Sequence, residues 1–172
     1  MFGFAGSPVI QATLIVSDPR SLRLVLDTNV WLDWLVFDDA GVAPIRAAVA
    51  CGEAEIVIDA RCEGELARVL AYPLRKTILT AETQNACLEK CRNLARMDAG
   101  IGAPGSTYSS ATCARALPNC RDPDDQKFLE LARNCDADFL ITKDHALLEL
   151  TRRKIRTPPF CIVTPGQFNN RH

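Results

Sequence analysis

Four acidic side chains stand at places where a helix or strand meant only for packing would put something else. Asp27 directly ends the short apolar run Leu22-Arg-Leu-Val-Leu26, and Asp144 follows a second such run, Asp138-Phe-Leu-Ile-Thr142, with Lys143 between. Asp125 lies close to the line of Phe128, Leu129 and Ala132, the core side of a helix. Glu65 stands at the edge of an apolar helical face made by Cys62, Leu66, Val69 and Leu70. Carboxylates on such borders are costly unless something positive meets them. Gathered at one end of a sheet, the four would resist joint ionisation without a cation. Mg2+ and Mn2+ are hard ions that take oxygen ligands and keep several waters. In pairs about 3.5–4 Å apart they activate a water and stabilise the leaving oxygen of a phosphoryl displacement. Metal-dependent hydrolysis of a phosphodiester is therefore the chemistry these residue types point to, and neither histidine, His145 or His172, is needed for it.

Each acid also has a purely structural reading. Asp27, or its neighbours Thr28 and Asn29, suits the cap of the helix that follows, and Asp144 suits the cap of His145-Ala-Leu-Leu-Glu-Leu150. In Asp122-Pro-Asp-Asp125 the proline fits the first helical position, which makes Asp122 the cap and Asp125 the third helical residue, the two together a capping box. A mid-helix Glu such as Glu65 is ordinarily solvated, and Thr142 read alone is better placed to satisfy a strand end than to orient a carboxylate. The coincidence of four such acids favours the chemical reading.

The elements that would position them alternate. Strand-like runs at 22–26, 55–58, 138–141 and 160–163 are short and uniformly apolar, and helix-like segments lie at about 30–36, 43–52, 61–72, 81–98 and 124–135. Strands of this kind, interleaved with helices, predict a parallel sheet covered on both faces. Residues 99–120, rich in Gly, Ser and Pro, read as a loop, and residues 1–21 as an extension in which Ala12-Thr-Leu-Ile-Val16 is the one strand-prone piece.

At 172 residues the chain fits one domain with its own core. Twenty Lys and Arg against 21 Asp and Glu leave no global positive field, so a polyanion has to be held locally, and Arg152, Arg153, Lys154 and Arg156 form one candidate rim. The eight cysteines contain no Cys-x-x-Cys pair, and the chain is too long for a disulfide scaffold, so they read as reduced and mostly buried thiols rather than a zinc site. The first residues lack a basic signal-peptide region, and no run approaches the ~18–20 apolar residues of a membrane span. A cytoplasmic protein with no membrane partner is expected.

In order and spacing, Val25-Leu-Asp-Thr-Asn-Val-Trp-Leu32, Glu65-Leu-Ala-Arg-Val-Leu70, Asp122-Pro-Asp-Asp-Gln-Lys-Phe-Leu129 and Leu140-Ile-Thr-Lys-Asp144 resemble a PIN domain across about residues 22–168. With the closing Ile162-Val-Thr-Pro-Gly-Gln-Phe168, the likeness is to the branch described as toxins of toxin–antitoxin systems. The resemblance implies a three-layer α/β/α sandwich with a mostly parallel five-stranded sheet, with 1–21 as an extension and 169–172 as a tail. It implies a Mg2+- or Mn2+-dependent endoribonuclease whose catalytic and metal-binding acids are Asp27, Glu65, Asp125 and Asp144. Asp122 and Asp124 compete with Asp125 for the third place, and Asn29 and Thr142 resemble the family's polar supports. The implied partners are an RNA substrate, a small antitoxin protein and a second copy of the chain.

Two other readings compete. A haloacid-dehalogenase-type phosphatase also carries an aspartate after its first strand but needs a second acid two residues on, where this chain has Asn29. A catalytically silent PIN-like module that binds RNA or protein would keep the acids only as caps and surface charge.

Overall fold

The computed structural model describes residues 21–99, 117–152 and 157–169. Five strands make the sheet: β1 (Leu22–Leu26), β2 (Ala54–Ile58), β3 (Ala95–Met97), β4 (Phe139–Ile141) and β5 (Cys161–Val163). They are ordered β3-β2-β1-β4-β5 and every pairing is parallel. In β1 the successive residues Leu24, Val25 and Leu26 are all at most 1% exposed. Consecutive strand side chains point to opposite faces, so both faces of the sheet are covered, as a parallel sheet requires.

The covering helices are α1 (Thr28–Leu35), α2 (Ala43–Ala50), α3 (Ala60–Leu70), α4 (Ala81–Leu94), α5 (Gln126–Asn134), α6 (His145–Glu149) and α7 (Pro165–Asn169). α1, α3 and α4 pack on one another, α3 also touches α5, and α5 lies on β1 and β4; α2 lies against β2 and meets α7. The helix α5 shows why its segment folds so: Phe128, Leu129, Leu131 and Ala132 are buried while Glu130 and Arg133 remain partly exposed, the pattern of an amphipathic helix seated on a sheet. At the far end Thr164 and Gln167 cap α7 reciprocally, the threonine amide donating to Gln167 Oε1 at 2.9 Å and the glutamine amide to Thr164 Oγ1 at 3.2 Å.

The helix-like segment at 81–98 is shorter than its composition predicts. Ala95, Arg96 and Met97 are good helix formers, yet they leave α4 and pair with Ile56, Val57 and Ile58 to complete the sheet; tertiary pairing overrides local propensity. Cys62, Cys87, Cys91 and Cys135 are buried free thiols, whereas Cys51 and Cys161 are exposed. The strand-prone piece at 12–16, Cys113 and the basic run from Arg152 to Arg156 lie outside the residues whose side chains are described. No described helix is long and apolar enough to cross a membrane.

Candidate active site

The strand order reverses between β1 and β4, since the chain runs outward through β2 to β3 on one side and through β5 on the other. In open α/β sheets the crevice beyond the carboxyl ends of strands, at such a switch point, is where ligands are held. Asp27 is the residue after β1, and Thr142, Lys143 and Asp144 follow β4.

Asp27 is 2% exposed. Its Oδ1 accepts the Val30 amide at 3.0 Å, capping α1, and its Oδ2 accepts the Thr142 hydroxyl and the Lys143 amide, the latter at 3.2 Å. Burial pushes its carboxyl above the ordinary range, against the pull of hydrogen bonds from Thr142 and from the Val30, Lys143 and Asn29 amides. Thr142 is fully buried and does both things open to it: its hydroxyl donates to Asp27 and accepts the Asp144 amide at 2.8 Å. Orienting a carboxylate is thus part of its role, which its position at a strand end conceals. Asp144 Oδ1 takes the Ala146 and Leu147 amides at 2.6 and 3.4 Å and caps α6. Capping and the crevice are therefore not rivals here, because a helix that starts at the end of a buried strand draws its cap from the residue that faces the crevice.

Asp125 closes a short 3-10 turn, Pro123–Asp125, that leads into α5. Asp122 is its cap, but it accepts the Asp124 amide at 2.9 Å, and Asp125 makes no capping bond. The capping box expected between Asp122 and Asp125 does not form. Asp122 and Asp124 are exposed while Asp125 is half-buried. Its carboxyl is pushed up to about 6, first by burial, then by the negative charges of Asp144, Asp122 and Asp27, with Lys127 acting the other way. Asp27, Asp125 and Asp144 therefore share one electrostatic neighbourhood.

Glu65 comes from the middle of α3 and is not solvated as a lone helical Glu would be. Its Oε1 accepts the Thr28 hydroxyl at 3.0 Å, and its Oε2 is ion-paired with the Lys127 ammonium, the two side chains only 17% and 14% exposed. Lys127 also donates to the Asp124 carbonyl and lies 4.8 Å from the centroid of the Phe128 ring. A second ion pair lies next to these residues in the chain, between Lys143 and the buried Asp33 of α1. Asn29 has an exposed side chain, and it is its backbone amide that faces Asp27.

Spacing does not single out Lys127, Lys143 or Asp33, and it offers Thr28 only as a helix cap. Asp33, flanked by Trp31, Leu32 and Trp34 in an apolar helix, is the available signal: a buried acid asks for a positive partner, here Lys143.

Among the described residues no three His, Cys, Asp or Glu side chains converge as a ready-made metal cage. The donor set nevertheless suits a hard divalent cation: it is all carboxylate oxygen, and the Asp125 carboxyl is raised by burial and by the charges of Asp144, Asp122 and Asp27, which a cation would offset. Asp27, Asp125 and Asp144 are the residues that would hold such an ion, with Glu65 beside them engaged by Lys127.

A protein-family model described as "PIN domain" matches residues 23–146, which takes in Asp27, Glu65, Asp125 and Asp144. No curated protein matches the chain.

Proposed function

This chain belongs to the PIN-domain family of nucleases, and we propose that it is a divalent-metal-dependent endoribonuclease, the toxin of a toxin–antitoxin pair. The observation that supports this reading is the shared negative field at the β1–β4 switch point, where Asp144, Asp122 and Asp27 all act on Asp125. An acid pocket that repels its own ionisation is suited to a cation, and an anionic phosphodiester needs that cation in order to approach. Mg2+ or Mn2+, when bound, supplies Lewis-acid polarisation of the scissile phosphate and lowers the pKa of a bound water.

The chain's own part is positioning. Asp27, fixed from three sides by Val30, Thr142 and Lys143, presents a carboxylate whose rotamer is set before any ligand arrives. Asp144 is held to it through Thr142, which ties the ends of β1 and β4 together. Asp125, raised to about 6, is able to hold or release a proton close to neutral pH. Asp125 is preferred over Asp122 and Asp124 as the third acid because it alone of the three is half-buried. RNA, a small antitoxin and a second copy of the chain are the proposed partners, with the basic run at Arg152, Arg153, Lys154 and Arg156 as the proposed rim for the phosphate backbone.

The Lys127–Glu65 pair and the lack of a ready-made cage among the described residues favour a second reading, a silent module that binds RNA or protein. Cleavage of labelled structured and unstructured RNAs with Mg2+, Mn2+ or EDTA, for wild type, Asp27→Asn and Asp144→Asn, separates the two. Metal-dependent cutting lost in both folded variants supports the nuclease. Absence of cutting together with absence of Mn2+ binding supports the silent module.

A further inference from the structure

We propose that Lys127 is the resident counter-charge of the acidic site, an internal ammonium that a divalent metal has to displace from Glu65, and that it thereby sets the affinity of the site for metal. The inference rests on the metal-dependent reading above.

Three observations carry it. Among the described residues, Lys127 is the cation ion-paired with one of the four acids, through Glu65 Oε2, while the other oxygen of that carboxylate is taken by Thr28 at 3.0 Å. The pair is largely withdrawn from water, with the two side chains 14% and 17% exposed, so its attraction is little screened. The ammonium is also tethered where it stands, by the Asp124 carbonyl and the face of Phe128. A surface lysine would be held by none of these. Its charge reaches Asp125 as well, where it opposes the push of the neighbouring acids.

For Glu65 to turn an oxygen toward a metal, the Lys127 contact has to break, since that oxygen is the one the ammonium occupies. The metal must also enter against the lysine's positive charge. Both effects weaken binding relative to a site without the lysine. They keep the acids tolerably neutralised when metal is scarce, and make Glu65 the donor recruited last.

The test is Mn2+ titration by calorimetry on the full chain, comparing wild type, Lys127→Met, Glu65→Gln and the double variant. Methionine keeps the length of the stem against Phe128 and removes the charge. Lys127→Met should bind Mn2+ about tenfold more tightly, equivalent to about 1.4 kcal/mol, and in the Glu65→Gln background, where only the charge repulsion is left, the same substitution should give a clearly smaller gain, about threefold or less. Removing one partner of a buried pair is destabilising, so thermal unfolding is followed in parallel, and Lys127→Gln serves as the second variant if the methionine form does not fold. Unchanged or weaker Mn2+ binding in the folded lysine variants overturns the proposal while leaving the metal reading intact. An equal gain in the Glu65→Gln background also overturns it, because the lysine then acts only as a distant charge. If wild type takes up no Mn2+, both the proposal and the metal reading fall.

Discussion

Asp125→Asn should make the metal-free protein more stable while abolishing its activity. The carboxyl is raised from an ordinary 3.8 to about 6 by burial and by Asp144, Asp122 and Asp27. Its ionised form is thus disfavoured in the folded state. Below about pH 4 both folded and unfolded chains hold the proton, and the group contributes no penalty. As pH rises from about 4 to about 6 the unfolded chain ionises first, so stability is lost, and above about 6 the whole penalty is present. Its upper bound is about 3 kcal/mol, at about 1.36 kcal/mol per tenfold change in proton affinity. Solvent still reaches this half-buried side chain, and screening brings the expected effect down to about 1 kcal/mol. Asparagine has the same shape and no charge. In urea denaturation with EDTA, the variant should therefore exceed wild type by about 1 kcal/mol at neutral pH, or about 2–4 °C in Tm for a chain of this size. The excess should vanish below about pH 4, and saturating Mn2+ should shrink or reverse it because ligand binding stabilises the native state. Equal stability at neutral pH, or an excess that is the same at every pH, would refute the reasoning.

Thr142→Val removes a buried hydroxyl that both donates to Asp27 and accepts from Asp144; it should cost about 1–3 kcal/mol and lower kcat, while Thr142→Ser keeps both, as denaturation and RNA cleavage will show. Asp144→Ala should lose about 1 kcal/mol of helix capping on top of activity, whereas Asp144→Asn retains an accepting oxygen and should lose activity alone, measured by Tm beside turnover. Lys143→Met leaves the buried Asp33 unpaired and should cost about 1–2 kcal/mol, the exposure of the lysine keeping it below a fully buried pair; adding Asp33→Asn should recover part of that, read as the coupling in a double-mutant cycle.

Where the sequence was legible, one physical signal dominated. Leu24, Val25 and Leu26 are apolar on both faces and then stop at an acid, which announces a buried parallel strand and its carboxyl end together. Helix α5 was legible from its amphipathic period. The third strand was not, because Ala95, Arg96 and Met97 continue the composition of α4 and become a strand only through pairing with β2. Glu65 stood out as a border acid, but its two partners did not: Thr28 is 37 positions away in the sequence, and Lys127 belongs to another helix. Local pattern shows that a charge is out of place; it does not show which distant group answers it. The resemblance names Thr142 as a polar support, but local pattern does not show which carboxylate it orients, because that group is 115 positions upstream.

That last separation has a consequence in time. Asp27 leaves the ribosome well before Thr142 and Asp144, which reach it only after 115 or more further residues have been added. At about 5–20 residues per second, synthesis of that stretch takes on the order of ten seconds. During this interval β1 has no β4 beside it, the carboxylate of Asp27 has no hydroxyl to hold it, and the crevice has only one wall. Whatever the finished crevice holds, a nascent chain cannot hold it until its fourth strand has docked.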